Sequence, residues 1–161
     1  MKTIRVFIAS SGEMRHERLQ LIDMILDLNN EMEESGHCVE IEPVIWEFMD
    51  SAMRDVFKEE EYLAELRQCE ICITMFKRAC GQYTVQEMDV SLAEQEKGNR
   101  PHIIQIYFEG GNNANVSPAL FSLRSRIVEE HPDICAFPSD ASELRKAAER
   151  LLYEYCIKED E

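Results

Sequence analysis

Residues 71–76, Ile-Cys-Ile-Thr-Met-Phe, form the most apolar short segment of the chain and decide its predicted fold. A short, continuous apolar run of this kind is typical of a strand that is buried on both faces, as the strands of parallel sheets are. The segments on either side, Phe57 to Gln68 and Tyr83 to Lys97, carry apolar residues at helical spacing, and Gly98 supplies a stop signal. The sequence therefore predicts a central buried strand between two helices.

The alternation of strand and helix continues to both ends of the chain. Further strands are predicted at Ile4–Ala9, Cys38–Trp46, His102–Phe108 and Ile134–Phe137, and further helices at Glu13–Glu34, Leu120–Glu130 and Ala141–Ile157. Pro43 is typical of an edge strand, and we expect residues 158–161 to fray. The pattern predicts one α/β domain over residues 1–161, with a flavodoxin-like, doubly wound parallel sheet of strand order 2-1-3-4-5 and helices on both faces.

The amino-acid composition limits the classes of molecule that the protein can bind. The net charge of −15 disfavours broad contact with nucleic acid or with an anionic membrane, since both need a basic surface, and no apolar run approaches the length of a membrane helix. The six cysteines lie mostly inside apolar runs, which predicts a reducing, cytoplasmic setting. Cys69 and Cys72 form a C-x-x-C, but no second Cys/His pair follows at zinc spacing, so we predict buried thiols and no metal site.

The predicted strand order places a ligand crevice beyond the carboxyl ends of strands one and three, at the loops Ser10–Glu13 and Lys77–Tyr83. These loops exclude several functions. A phosphoacceptor site needs acidic residues directly after strand one and an aspartate at the end of strand three, but Ala9–Ser11 and Thr74–Phe76 stand there. The chain also has no G-x-G-x-x-G or Walker loop. Two adjacent serines, Ser10 and Ser11, are a poor match to a flavin-binding loop.

The segment from Cys80 to Gln95, CGQYTVQEMDVSLAEQ, places a carboxylate, Glu87, in the first predicted turn of the helix beside this crevice. Thr84 stands three residues earlier, which is the spacing of a capping box, in which Glu87 would accept a hydrogen bond from the Thr84 backbone N–H. Local spacing alone therefore favours a helix cap over a catalytic role for Glu87.

Four segments, in this order along nearly the whole chain, resemble TIR-like domains of bacterial anti-phage and signalling proteins. They are VFIASSGEMRHER, WEFMDSAM, CEICITMFKRACG and YTVQEMDVSLA. In TIR-domain enzymes a glutamate on the helix after the third strand is needed to cleave the nicotinamide–ribose bond of NAD, and Glu87 matches that position. The resemblance implies an NAD glycohydrolase of bacterial immune or stress signalling that forms ADP-ribose or a cyclic product, with NAD as substrate and no cofactor.

One carboxylate is sufficient for this chemistry, whereas glycoside hydrolysis normally uses two. Nicotinamide leaves a pyridinium as a neutral molecule, so no general acid is required, and the enzyme has mainly to stabilise the positive charge that develops on the ribose. Glu87 would do this directly or by binding the ribose hydroxyls.

Five other residues have candidate substrate-binding roles because of their predicted positions. Ser10 and Ser11 would offer hydroxyl and N–H groups, although residues there are often only helix caps. Trp46 would stack on a flat ring, Lys77 beside Arg78 would neutralise a pyrophosphate, and Tyr83 would line the pocket, but core packing and solvated loops are the alternative interpretations.

Two further functions stay open. In a nucleoside 2-deoxyribosyltransferase-like enzyme Glu87 would be a nucleophile, and a second acid, Asp50 or Asp89, would protonate the nucleobase. In a non-enzymatic TIR module the chain would self-associate through TIR–TIR contacts, with the loop Glu47–Arg54 as the interface. TIR enzymes themselves commonly need such assembly.

Overall fold

Five strands lie side by side in the order β2-β1-β3-β4-β5, and every neighbouring pair is parallel. The structure is a computed structural model, and it describes residues 1–45, 56–110 and 115–161. The strands are β1 (Lys2–Ser10), β2 (Val39–Val44), β3 (Ile71–Phe76), β4 (Ile103–Phe108) and β5 (Cys135–Ala136). The predicted flavodoxin-like α/β fold and its strand order are confirmed.

Helices cover both faces of the sheet. They are α1 (Arg15–Glu34), α2 (Val56–Leu66), α3 (Gln82–Glu96), α4 (Pro118–Glu130) and α5 (Ala141–Asp160), with short 3-10 turns at Gly12–Met14 and Pro132–Ile134. Helices α1 and α5 pack on one face, and α2, α3 and α4 pack on the other. Within the described ranges, no helix is long and apolar enough to cross a membrane.

The central strand β3 has the bounds that its apolar run predicts, and all six of its residues are buried. Ile71, Ile73 and Met75 face the α1/α5 layer, while Cys72 and Phe76 face the opposite layer. Burying each large aliphatic side chain contributes about 1.5–3 kcal/mol. Because helices cover both faces of β3, its sequence does not alternate between apolar and polar residues.

Strand β2 forms one edge of the sheet, as Pro43 predicts, and its free side is covered by a side chain of α1. Asn29 Nδ2 donates to the Ile41 carbonyl oxygen at 3.0 Å, and Asn29 Oδ1 accepts from the Ile41 N–H at 2.8 Å. Asn29 therefore satisfies the two backbone groups that an absent sixth strand would otherwise satisfy. The predicted end of this strand at Trp46 lies outside the described residues.

At the C-terminus, α5 extends three residues beyond its predicted end. Asp160 Oδ2 lies 2.8 Å from His37 Nδ1, and Asp160 Oδ1 accepts from the Cys38 N–H at 3.2 Å. Glu159 forms an ion pair with Lys2 at the start of β1. These contacts of residues 159 and 160 depend on partners more than 100 residues away in sequence.

We expect Asn29→Ala to lower the free energy of unfolding by about 1–2 kcal/mol, because both polar groups of Ile41 lose their partner. Chemical denaturation measures this change. Asn30→Ala is the matched control, since Asn30 is the exposed neighbour on the same helix, and equal losses in the two variants would contradict a specific role for Asn29.

Candidate functional site

The carboxyl ends of β1 and β3 lie side by side, with Ala9 opposite Thr74 and Ser10 opposite Met75. The loops that follow them are joined by Glu13, whose Oε1 accepts from the backbone N–H groups of Arg78 at 2.8 Å and Ala79 at 3.0 Å. The predicted crevice loops therefore meet at the point where the strand order reverses.

Helix α3 begins earlier than its sequence predicts. Its N-cap is Gly81, which makes no side-chain cap bond, and Gln82 is its first residue. A Cβ at Gly81 would lie 3.8 Å from Ser11 Cβ and 3.9 Å from Thr84 Oγ1, so the helix starts directly against the β1–α1 loop. Thr84 is inside the helix and buried, and Glu87 lies in its second turn, not its first. The predicted capping box is therefore wrong.

Glu87 lies on the sheet-facing side of α3, and only 1% of its surface is exposed. Thr84, Met88 and Ser91 share this buried face. Cys72 of β3 interacts electrostatically with Glu87. Burial is the main cause that raises the pKa of the Cys72 thiol to about 12, and the charge of Glu87 also raises it. Glu87 thus lies on the buried face of α3, against the central strand.

The two serines have different environments. Ser10 ends β1 and is buried, and its Oγ accepts from Arg18 Nη1 at 2.8 Å. Ser11 is the N-cap of the first 3-10 turn, but its side chain makes no cap bond. Its Oγ is buried and has no hydrogen-bond partner among the described residues. The capping interpretation of Ser11 does not apply, and its hydroxyl is left for another partner.

Sequence reasoning assigned no role to Arg18, which is 1% exposed and is the largest fully buried side chain among the described residues. Nη1 of Arg18 also donates to the Ser11 carbonyl oxygen. A signal was present, because Arg18 falls in the apolar stripe of α1 with Met14, Leu21 and Ile25. A cation in such a stripe needs buried polar partners, and the end of β1 supplies them.

Lys77 lies between two buried carboxylates. Its Nζ is 3.5 Å from Glu17 Oε1 and 3.3 Å from Glu109 Oε2. Burial would lower the pKa of Lys77, but these carboxylates outweigh it and raise that pKa. The charge that was predicted to neutralise a pyrophosphate is already opposed by two acids of the protein.

Glu109 follows β4 and is 4% exposed. Burial raises the pKa of Glu109, the nearby charge of Glu17 raises it further, and Lys77 only partly opposes this. Because one ammonium group cannot balance two carboxylates in a buried place, Glu109 binds a proton more readily in the folded chain than in the unfolded chain.

We expect Glu109→Gln to remove a pH-dependent loss of stability. A raised folded-state pKa means that the wild type loses stability as the pH rises above the unfolded-state value for glutamate, about 4.3, and continues to lose it through the folded-state pKa. Glutamine leaves Lys77 and Glu17 as a pair of opposite charges. The free energy of unfolding of the variant therefore increases relative to that of the wild type as the pH rises.

Denaturation over a pH series measures this difference. Glu129→Gln makes the same charge change at an exposed position of α4 and serves as the control. Parallel pH curves for the wild type and Glu109→Gln would contradict the assignment.

The remaining candidates are less connected to the crevice. Tyr83 is the second residue of α3 and is partly buried. Asp89 is exposed, and its Oδ1 lies 3.7 Å from Arg126 Nη2 of α4, so it does not share the face of Glu87. Trp46, Asp50 and the whole predicted interface loop, residues 47–54, lie outside the described residues.

Cys69 and Cys72, the predicted buried thiols, are both buried. Burial is the main cause that raises the pKa of each to about 12, so both are protonated and unreactive at neutral pH. Among the residues that the structure describes, no group of three or more His, Cys, Asp or Glu side chains is arranged to hold a metal ion.

The strand order defines the class of this protein as a flavodoxin-like α/β domain, and the helix that follows β3 carries a buried carboxylate, Glu87. Comparison of the chain with protein-family models gives no match, and no curated protein matches it. An activity therefore has to be argued from the side chains of the crevice.

Proposed function

We propose that the chain is a TIR-type NAD glycohydrolase in which Glu87 is the catalytic residue. The observation that carries the proposal is the position of Glu87: it is a carboxylate, 1% exposed, on the sheet-facing side of α3, a helix whose N-cap is Gly81 and not Thr84. Burying a carboxylate costs several kcal/mol, so its place there needs a reason beyond local helix formation.

The proposed reaction breaks the bond between C1′ of the ribose and the ring nitrogen of nicotinamide. The bonding electron pair leaves with the nitrogen, which makes nicotinamide neutral and puts positive charge on the ribose. A water oxygen then bonds to C1′ and releases a proton, which gives ADP-ribose, or a nucleophile of the same molecule attacks and gives a cyclic product. Glu87 stabilises the positive charge, and its negative charge acts strongly because the buried site has a low effective dielectric constant.

The start of α3 supports binding of the anionic part of NAD. The first N–H groups of a helix have no intrahelical acceptor, and the helix dipole favours negative charge there. Gly81 and the first turn of α3 lie against Ser11, at the mouth of the crevice. This end of the helix suits a diphosphate better than Lys77 does, since two carboxylates already lie beside Lys77.

The alternatives have less support from the described residues. A deoxyribosyltransferase-like reaction needs a second acid near Glu87, and Asp89 forms its ion pair on another side of α3. Self-association through TIR–TIR contacts is part of the proposal, as is a role in bacterial immune or stress signalling. The predicted interface loop lies outside the described residues.

We expect concentrated wild-type protein to release nicotinamide from NAD and Glu87→Gln to lower that rate by at least about 100-fold, the usual effect of removing a group that stabilises transition-state charge. Chromatographic detection of nicotinamide measures the rate, and circular dichroism verifies folding. Asp89→Asn is the matched control, because it removes one charge from an exposed position of the same helix.

Undiminished cleavage by folded Glu87→Gln would rule out its catalytic role. A wild type that stays inactive after chemical cross-linking into oligomers would contradict the enzymatic proposal and favour an assembly module. Exchange of nucleobases between deoxynucleosides without NAD cleavage would instead select the deoxyribosyltransferase-like alternative.

A further inference from the structure

We propose that Arg18 is a positioning residue, which holds the β1–α1 loop so that the Ser11 hydroxyl contacts the ADP-ribose part of the substrate. The inference rests on the proposed function for the identity of the ligand. It assigns a role to a buried arginine on α1, and it gives the two serines different roles. Ser10 anchors the loop, and Ser11 binds the substrate.

Arg18 donates hydrogen bonds to two consecutive residues at the end of β1. Its Nη1 lies 2.8 Å from Ser10 Oγ, and it also donates to the Ser11 carbonyl oxygen. A guanidinium group is planar and presents its donors in a rigid arrangement, so it fixes both the direction and the distance of its acceptors. A buried lysine has the same charge but cannot reproduce this geometry.

The Ser11 carbonyl accepts a second hydrogen bond, from the Met14 N–H at 3.0 Å. A carbonyl oxygen has two lone pairs, so Arg18 and Met14 together occupy its acceptor capacity and fix the peptide plane after Ser11. The backbone of Ser11 is extended, with φ −81° and ψ 172°. The direction of the Ser11 Cα–Cβ bond is therefore set by contacts of its backbone.

The Ser11 hydroxyl is the polar group that this arrangement leaves unused. It does not cap the 3-10 turn, it is buried, and it has no hydrogen-bond partner among the described residues. Leaving a buried hydroxyl unsatisfied costs about 1–3 kcal/mol, and such groups in native structures require an explanation. Ser11 Cβ is 3.8 Å from the Cβ position at Gly81, so this hydroxyl lies where the β1 and β3 loops meet the start of α3.

The hydrogen bonds of Arg18 and the cost of the unpaired Ser11 hydroxyl thus support the same assignment, in which Arg18 positions the loop and Ser11 binds the ligand. A side chain that merely stabilised the loop would not need to leave an adjacent hydroxyl unpaired. A ligand oxygen that bonds to Ser11 would remove the cost of that unpaired group, and Arg18 would keep the hydroxyl in place before the ligand arrives, which lowers the entropic cost of binding.

The test compares Arg18→Lys, Ser11→Ala and the double variant. We expect each single change to raise the KM for NAD and the Kd for ADP-ribose about tenfold, the effect of one hydrogen bond, with kcat changed by less than about threefold. Because both residues act through one contact, the double variant is expected to lose about tenfold and not about 100-fold. Calorimetry with ADP-ribose and initial rates with NAD give the two constants.

Arg15→Lys is the matched control, since Arg15 is an exposed arginine on the same helix, and we expect it to leave both constants unchanged. Ser11→Ala is expected to be at least as stable as the wild type, because it removes an unsatisfied buried hydroxyl. The Ser11 measurement therefore does not depend on whether Arg18→Lys folds.

Several results would overturn the inference. Unchanged constants in Ser11→Ala, or losses that multiply in the double variant, would do so while leaving NAD cleavage intact. An Arg18→Lys protein that cannot fold would assign Arg18 to stability alone. Binding of ADP-ribose that depends on Ser11 in a protein that does not cleave NAD would support the inference and contradict the proposed function, whereas a wild type that neither binds nor cleaves would overturn both.

Discussion

Burial of β3 on both faces is the constraint on which the rest of the structure depends. Ile71, Ile73 and Met75 pack under α1 and α5, and Cys72 and Phe76 pack under the opposite helices, so this strand has to lie inside the sheet. With β3 inside, the chain forms its sheet outward in two directions, through β1 to β2 and through β4 to β5. The strand order reverses between β1 and β3, which is where ligands of doubly wound folds generally bind. The position of the predicted crevice is thus a consequence of how the core packs.

Features set by periodicity could be predicted from the sequence, and features set by distant partners could not. The bounds of β3 follow from its own residues, because no other segment is needed to explain an apolar run. The start of α3 was misplaced, since a capping box describes only four residues, whereas Gly81 packs against Ser11 from another loop. The contact of Asp160 with His37 joins residues 123 positions apart, and a local pattern contains no information about it.

The polar residues of the crevice illustrate the same limit. Pairing of Lys77 with Glu17 and Glu109 brings together three elements that are far apart in sequence, and it changes the meaning of Lys77 from a free cation to a partner of two acids. Sequence placed Lys77 near the ligand but could not show that its charge was already opposed. The electrostatic effect of a lysine cannot be predicted from the sequence alone, because it depends on the charges that lie beside it in the folded protein.

Glu87 shows how local and tertiary information combine. Its spacing from Thr84 matched a cap, yet Thr84 turns toward the sheet with Glu87 and Ser91, because α3 has to present a continuous face to β3. A residue on that face is buried whatever its chemistry, so an apolar side chain would be the stable choice and a carboxylate is the costly one. The helix that closes the core on this side of the sheet therefore also carries a buried carboxylate. That combination, and not the capping motif, is the structural argument for chemistry at Glu87.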